Sequence, residues 1–162
     1  ILAGSYDYYF AYGSNMNVAR MQERQMDFDH AEGGVLSDFR LAFNKRSTKQ
    51  IGVASANVVH CAGSCVEGVV YRLLDSDCIA RMDPYEGYPL RYDRRQLPIQ
   101  LSGGDQQSAW VYIANPDYID ETLKPARWYL NHLLAGREHL SESYYQQLLQ
   151  VPCNETPPDR TG

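Results

Sequence analysis

Hydrophobic and polar residues alternate along much of this chain, and such alternation is typical of strands that bury one face. The same segments are rich in tyrosine, valine and phenylalanine, which favour strands. A glycine-containing turn at residues 102–105 is typical of a hairpin and would join two of these strands. The pattern therefore predicts short strands at residues 6–12, 39–43, 53–59, 65–74, 92–101 and 109–114.

Three segments of the first half break this alternation. Asn17 is a candidate cap for a helix over residues 18–25, whose apolar positions recur at helical spacing. Residues 28–36 are ambiguous, because the Gly-Gly pair within them predicts a bend or a bulge. Residues 45–50 are polar and predict a loop.

A second helix is predicted directly after the strand at residues 65–74. Either Asp75 or Ser76 can cap it, and acidic charge in the first turn favours a helix start. Pro84 disfavours helical backbone at the residue before it. We therefore expect this helix to end or kink at Asp83.

The C-terminal region has the spacing of helices rather than strands. Pro125 predicts a helix start, and apolar residues follow at helical spacing as far as Gly136, which can end or interrupt the helix. Ser141 is a candidate cap for one more helix. The tail from Pro152 is polar and contains further prolines.

This order of elements predicts the fold class. Strands and helices do not alternate as they do in a doubly wound sheet, which favours an α+β fold. We expect a small mixed or closed β-barrel flanked by helices. The 162 residues fit a single domain over residues 1–162. Its folded core is expected at residues 5–150, with mobile ends at 1–4 and 152–162.

Composition argues against several classes of partner. The net charge is −5 and the basic residues are scattered, so we expect no nucleic-acid partner. No apolar run approaches the roughly 20 residues of a membrane span, so no membrane partner is expected. The first residues are too short for a signal peptide, which favours a cytoplasmic location. The oligomeric state stays open between a monomer and a homodimer.

Metal chemistry and nucleophilic catalysis find little support in the sequence. Cys61 and Cys65 lie near His60, but a structural zinc site needs a second pair of ligands at short spacing, which the sequence lacks. Reduced cysteines are the expected state. The sequence has neither a G-x-S-x-G motif nor a P-loop with its lysine, so hydrolysis by a serine nucleophile and nucleotide binding are both weak readings.

One candidate site is the turn that follows the first strand. An aromatic segment ends there at Gly13, which can take backbone angles that other residues avoid, and polar side chains follow it. Such a turn directs several backbone N–H groups to one point, which suits an anion or an oxyanion. The alternative is a well-capped turn between a strand and a helix that binds nothing.

A second candidate site is the acidic segment at residues 82–88. Asp83 and Glu86 lie there beside the predicted helix break, among tyrosines. A carboxylate in such a place can lie in a cleft with a raised pKa and transfer a proton. The alternative is that both are solvated surface acids, which is the ordinary fate of these residues.

Together these two segments resemble the γ-glutamylcyclotransferase-like superfamily. The turn at residues 12–15 is similar to that family's Y-G-S-N substrate loop, and residues 82–87 are similar to its L-D-x-x-E-G segment. The resemblance extends over about residues 8–149, and the pairing of the loop with a distant Glu-Gly is more specific than either part alone. Met82 stands where the family usually has leucine, and residues 140–142 differ from its Gly-Leu-Pro, which leaves the subfamily open.

The resemblance implies an enzyme that releases 5-oxoproline from a small-molecule γ-glutamyl substrate, with no metal or other cofactor. The substrate's α-amine would attack its own γ-carbonyl, so positioning would supply much of the acceleration. Glu86 would be the catalytic residue, since one carboxylate can take a proton from the attacking amine and give one to the leaving amine.

The resemblance also implies substrate-binding residues in the turn and in two later strands. The turn amides would bind the substrate carboxylate or the developing oxyanion. The two strand tyrosines either line the pocket or are ordinary strand residues, and Arg20 is expected to be a salt-bridge or cap partner rather than a ligand. The implied binding residues are Tyr12, Gly13, Ser14, Asn15, Met16, Tyr92 and Tyr112.

Two alternatives keep the same fold. In one, the protein is a non-catalytic binding or interaction protein that uses the same pocket. In the other, it is a γ-glutamyl amide hydrolase in which water replaces the internal amine. The sequence does not identify the leaving group, which could belong to glutathione, a γ-glutamyl amino acid, a γ-glutamyl polyamine or a protected natural product.

Overall fold

Five strands close into a barrel in the computed structural model, which describes residues 6–157. The strand order around the barrel is β1-β3-β2-β4-β5. Neighbouring strands are antiparallel except β1 and β5, which pair in parallel and close the barrel. The strands are β1 (Asp7–Ala11), β2 (Phe28–Arg46), β3 (Ala54–Leu73), β4 (Tyr92–Leu101) and β5 (Gln106–Ala114).

Four α-helices accompany the barrel, and the α+β prediction of a barrel flanked by helices is confirmed. Three short 3₁₀ turns lie at Ser14–Met16, Pro116–Tyr118 and Arg137–His139. None of the helices within residues 6–157 has the length and apolar character needed to span a membrane. The helices are α1 (Val18–Glu23), α2 (Cys78–Glu86), α3 (Arg127–Leu134) and α4 (Glu142–Leu149).

Alternate residues of the strands fill two separate hydrophobic cores, because successive side chains of a strand point to opposite faces. Phe10 of β1 and Tyr12, the residue after that strand, belong to a cluster whose other members are all strand residues, Val70 and Val111 among them. The intervening residues, such as Tyr9, pack in the other cluster with residues of all four helices. The barrel therefore has a core of its own, and the helices form a second one against its outside.

The long strands β2 and β3 correct the sequence analysis. β3 was expected as two shorter strands, and β2 as one short strand at residues 39–43 after an ambiguous segment, but β2 and β3 run for 19 and 20 residues and pair along most of their length. The register shifts where Asp38 adopts a positive φ of 66° and its carboxylate accepts a hydrogen bond from the N–H of Gly63 at 3.0 Å. This bulge accommodates the polar residues that interrupt the alternation of the sequence, so the strand continues past them.

The end of β2 also lies further along the chain than expected. Residues 45–50 were predicted as a loop, but Lys45 and Arg46 still pair with β3, opposite Ser55 and Ala54. The loop prediction is therefore wrong for these two residues. The consequence is that Lys45 has a fixed place on a strand.

The prediction for α2 is wrong at its C-terminal end. Instead of ending or kinking at Asp83, the helix continues through Pro84 to Glu86. It ends at Gly87, which has a left-handed φ of 79° and donates its N–H to the carbonyl oxygen of Asp83 at 2.8 Å. Glu86 is thus the last residue of a helix, and its backbone direction is set by that helix.

The predicted helix caps and chain ends have different outcomes. Asn17 and Ser141 cap α1 and α4 through side-chain hydrogen bonds, as expected. The chain after α4 returns to the start of α3, where Asn154 pairs with Ala126 and Glu155 with Arg127. Residues 1–4 and 158–162, for which mobility was predicted, lie outside the described residues.

We predict that Gly68→Ala destabilises the barrel beside the first strand. A methyl group at this position would overlap the carbonyl oxygen of Ala11 and lie 3.0 Å from the ring of Phe10, so the backbone of β1 would have to move. A loss of about 2–3 kcal/mol in the free energy of unfolding is expected from such overpacking, measured by chemical denaturation. Gly103→Ala is the matched control, because its nearest neighbour would be 3.8 Å away. Equal stability of the two variants would contradict the prediction.

Candidate active site

The turn after β1 is held in place from several sides. Within the turn, the N–H of Met16 donates to the carbonyl oxygen of Gly13 at 3.0 Å. The hydroxyl of Tyr71 donates to the carbonyl oxygen of Asn15 at 2.6 Å. A side chain at Gly13 would lie 2.9 Å from the hydroxyl of Tyr129, so only glycine fits there without a shift. The turn is therefore a rigid part of the barrel end.

The turn and Glu86 meet through the side chain of Asn15. Its Nδ2 lies 3.2 Å from Oε1 of Glu86 and donates to the hydroxyl oxygen of Tyr9 at 3.0 Å. Its Oδ1 accepts a hydrogen bond from Nη1 of Arg24 at 3.0 Å. Because a guanidinium only donates, this contact fixes which end of the amide faces Glu86.

Partial burial and contacts to one of its two oxygens determine how readily the Glu86 carboxylate takes up a proton. Its side chain is only 18% exposed, and Arg24 lies 3.7 Å from Oε1. Burial raises the pKa of the Glu86 carboxyl above its usual value, against the opposing effect of Arg24 and then of Lys45. Both protein contacts fall on Oε1, while the side chain also lines a cavity. This arrangement suits a carboxyl group that gains and loses a proton during a reaction.

One cavity collects most of the site residues that the sequence predicted. It lies between the turn, the end of α2, strand residues of the barrel and the start of α3. The predicted residues that line it are Tyr12, Gly13, Ser14, Asn15, Glu86, Tyr92 and Tyr112.

Met16 is the predicted site residue that the structure does not bring to the cavity. Its side chain is fully buried among the helices and packs against Gly136. Its N–H is already used within the turn, by Gly13. The amide of Met16 is therefore not available to a ligand in the cavity.

The hydroxyl groups of three cavity tyrosines donate hydrogen bonds to other groups of the protein. Tyr12 donates to the carbonyl oxygen of Tyr112, and Tyr92 donates to that of Ala56, both at 2.6 Å. Tyr112 in turn donates to Oδ1 of Asp83 at 2.7 Å. Burial is the main cause that raises the pKa of all three phenols, so they remain neutral. They shape the cavity with their rings and leave few free donors in it.

The two acids of the segment at residues 82–88 have different surroundings. Asp83 forms a two-pronged salt bridge with Arg94, at 2.9 and 3.1 Å, and also accepts the hydrogen bond from Tyr112. The side chains of Asp83 and Arg94 are only 14% and 15% exposed. Asp83 therefore anchors the last turn of α2 to β4 and β5, and Glu86 extends from that anchored turn.

Sequence reasoning missed many residues of the cavity, among them Tyr9, Arg24 and Lys45. Tyr9 was assigned only to the first strand, Arg24 only to the first helix, and Lys45 to a loop. A signal existed for two of them. Arg24 lies one helical turn after Arg20, and Lys45 continues the alternation of Leu41 and Phe43. Arg20 itself lines the cavity and donates from Nε to the hydroxyl of Ser14 at 3.1 Å, which agrees with a supporting role.

The sequence profile of the family described as "Gamma-glutamyl cyclotransferase, AIG2-like" matches residues 9–131. This is well over half of the chain. The chain belongs to this family. It is a family of proteins that act on small γ-glutamyl substrates.

Solved structures show the same γ-glutamyl cyclotransferase fold. A protein described as a γ-glutamyl cyclotransferase has a TM-score of 0.80 at 22% identity, over 98% of this chain and 92% of its own. The human protein loc79017, described as uncharacterized, has a TM-score of 0.82 at 23% identity, over 95% of this chain and 92% of its own. A yeast γ-glutamyl cyclotransferase specific to glutathione has a TM-score of 0.57 at 14% identity, over 94% and 90%. None of the curated protein sequences matches the chain.

We predict that Asp83→Asn loosens the end of α2 and lowers stability. Asparagine keeps the shape but leaves Arg94 without its partly buried counter-ion, so about 2 kcal/mol of unfolding free energy should be lost. Asp93→Asn is the control, because its pair with Arg95 is 3.7 Å long and well exposed, and exposed pairs contribute about 0.5 kcal/mol. Urea denaturation measures both, and a loss for Asp83→Asn no larger than that of the control would contradict the anchoring role.

Proposed function

We propose that this protein is a γ-glutamylcyclotransferase that releases 5-oxoproline and a free amine from a γ-glutamyl amine or peptide, with Glu86 as the general acid/base. The observation that carries the proposal is the position of Glu86. Its carboxyl is partly buried at a cavity wall, with a raised pKa, and accepts a hydrogen bond from the side chain of Asn15 in the turn. The groups proposed for proton transfer and for binding a charged substrate head therefore lie next to each other.

The reaction needs only positioning and proton transfer from the protein. The α-amino nitrogen attacks the γ-carbonyl carbon, a C–N bond forms to close the five-membered ring, and the C–N bond to the leaving amine breaks. The α-ammonium loses two protons on the way to the lactam N–H, and the leaving nitrogen gains two on becoming a free ammonium group. Glu86 carries these protons between the two nitrogens, so no water is consumed.

In this proposal, the turn binds the negatively charged part of the substrate head. The amides of Gly13, Ser14 and Asn15 are proposed to bind the substrate's α-carboxylate or the oxyanion that develops on the γ-carbonyl. Arg20, through its hydrogen bond to Ser14, adds positive charge beside them. The rings of Tyr12, Tyr92 and Tyr112 exclude water from the reacting atoms, consistent with a pocket role for all three.

The names of similar structures agree with this reaction class. Two of them are described as γ-glutamyl cyclotransferases, and the yeast protein as specific to glutathione. Their low identity to this chain leaves the substrate to be determined by experiment.

Incubation with a panel of γ-glutamyl amino acids, peptides and amines tests the activity, with the products identified by mass spectrometry. We expect 5-oxoproline from at least one compound, because the internal amine and not water is the nucleophile. Glutamate as the sole product would support hydrolysis, and no turnover of any compound would support a binding protein. Glu86→Gln should lower turnover by about 10²–10⁴-fold while the protein stays folded.

Glu23→Gln is the matched control for Glu86→Gln. Glu23 is exposed on α1 and does not line the cavity. Its replacement should leave turnover within about twofold of the parent, as surface changes away from a site usually do. Near-normal activity of Glu86→Gln would remove this residue from the catalytic role.

We predict that Arg24→Met moves the acid limb of the pH profile of kcat/KM to higher pH. The base form of Glu86 is needed to take the first proton, so activity falls as the pH drops through its pKa. Burial raises this pKa, and Arg24 is the cation that lowers it most. Without Arg24 the effect of burial is less well opposed, so the pKa of Glu86 should rise further.

The comparison uses one substrate throughout, so ionisation of the substrate amine affects both profiles equally. Arg127→Met is the control, because Arg127 pairs with Glu155 on the surface and does not line the cavity. An acid limb that stays where it was in Arg24→Met, or one that also moves in the control, would contradict the proposed coupling.

A further inference from the structure

Lys45 is a buried cation without a carboxylate partner among residues 6–157. It is only 4% exposed, yet it lines the cavity near the end of β2. Its ammonium lies 5.2 Å from the centroid of the Tyr92 ring, and no described carboxylate pairs with it. An ammonium held in this way is costly unless an anion joins it.

The surroundings of Lys45 add to this cost. Burial lowers the pKa of its ammonium to about 8, and the next cause is the positive charge of Arg91. The ring of Tyr92 stabilises the ammonium, but by less than a carboxylate would. Groups that are buried, perturbed and aimed into a cavity are candidates for ligand contacts.

The basic residues of the cavity fall into two groups. Arg20 and Arg24 come from α1 and bond to side chains of the turn. Lys45, Lys49 and Arg91 come from the end of β2, the loop after it and the segment before β4, and Arg91 hydrogen-bonds to Thr48 of that loop. We refer to Lys45, Lys49 and Arg91 as the second basic group.

The charges of the cavity do not balance without a ligand. Within residues 6–157, Glu86 is the only acidic residue that lines the cavity, against the five basic residues of the two groups. A γ-glutamyl head brings one carboxylate, which the turn and Arg20 can bind, and one ammonium, which Glu86 can bind. The second basic group is then left for a further negative charge on the substrate.

We propose that Lys45 is a specificity-determining residue whose ammonium binds a carboxylate on the leaving amine of the substrate. The preferred substrates are then γ-glutamyl amino acids and peptides with a free carboxylate. Compounds whose leaving group carries a positive charge, such as γ-glutamyl polyamines, are disfavoured by the same residue. This inference rests on the proposed function.

Two substrates that differ in one group test the proposal. γ-Glutamylalanine and γ-glutamylalaninamide share the same head and differ only in the carboxylate of the leaving amine. The wild-type protein should have a kcat/KM about 10–100-fold higher for the acid, the factor expected for a charge-assisted contact. Lys45→Met should remove most of this preference by slowing the acid, with the amide changed by no more than about threefold.

Two further variants separate specificity from structure. Lys45→Arg keeps the positive charge and should retain part of the preference for the acid. Lys124→Met removes a lysine that is exposed and does not line the cavity, so it should leave both rates unchanged. Equal loss for the two substrates in Lys45→Met, or no preference in the wild type, would overturn the proposal, because Lys45 would then bind the head or serve only the fold.

Binding measurements distinguish failure of this proposal from failure of the proposed function. Calorimetry with the Glu86→Gln protein compares the affinity for the same two compounds, with and without Lys45→Met. If the wild type releases no 5-oxoproline but Glu86→Gln binds the acid more tightly through Lys45, the role of Lys45 stands and the cyclotransferase activity does not. If turnover occurs without any discrimination in rate or affinity, the activity stands and the role of Lys45 does not.

Discussion

The side chain of Asn15 is the contact on which the site depends. One primary amide joins the turn after β1 to α1 through Arg24 and to the end of α2 through Glu86. An amide has a donor end and an acceptor end, and Arg24 can donate only to the oxygen, so the nitrogen is left to donate to Glu86. The barrel brings these elements near each other, and Asn15 sets their final orientation.

The cavity concentrates charge at a cost to the fold. It is lined by the buried side chains of Arg24 and Lys45 together with the carboxylate of Glu86, and burial raises the pKa of that carboxyl and lowers that of the Lys45 ammonium. Native proteins tolerate such groups where a ligand completes the charge balance. The anchor at Asp83 is satisfied within the protein and offsets part of this cost by holding α2 in place.

Local patterns in the sequence were enough to predict the strands near residues 6–12 and 92–101, the caps at Asn17 and Ser141, and the barrel with its helices. They failed where a distant contact decides the outcome. α2 passes Pro84 because Asp83 is fixed by β4 and β5, and β2 passes Asp38 because β3 supplies a matching bulge. Spacing along the chain could indicate the faces on which Arg24 and Lys45 lie, but it could not show their roles, since burial of a charge is a property of the assembled cavity.

The parallel pairing of β1 with β5 has a consequence for synthesis of the chain. The walls of the cavity come from residues as early as Tyr9 and as late as Tyr129, and the hydroxyl of Tyr12 reaches the backbone of Tyr112, 100 residues away. Contacts of such long sequence separation form late, because the loop between them must first close. The cavity therefore has no complete wall until the last strand and the start of α3 have left the ribosome, and a product that terminates before them lacks part of that wall.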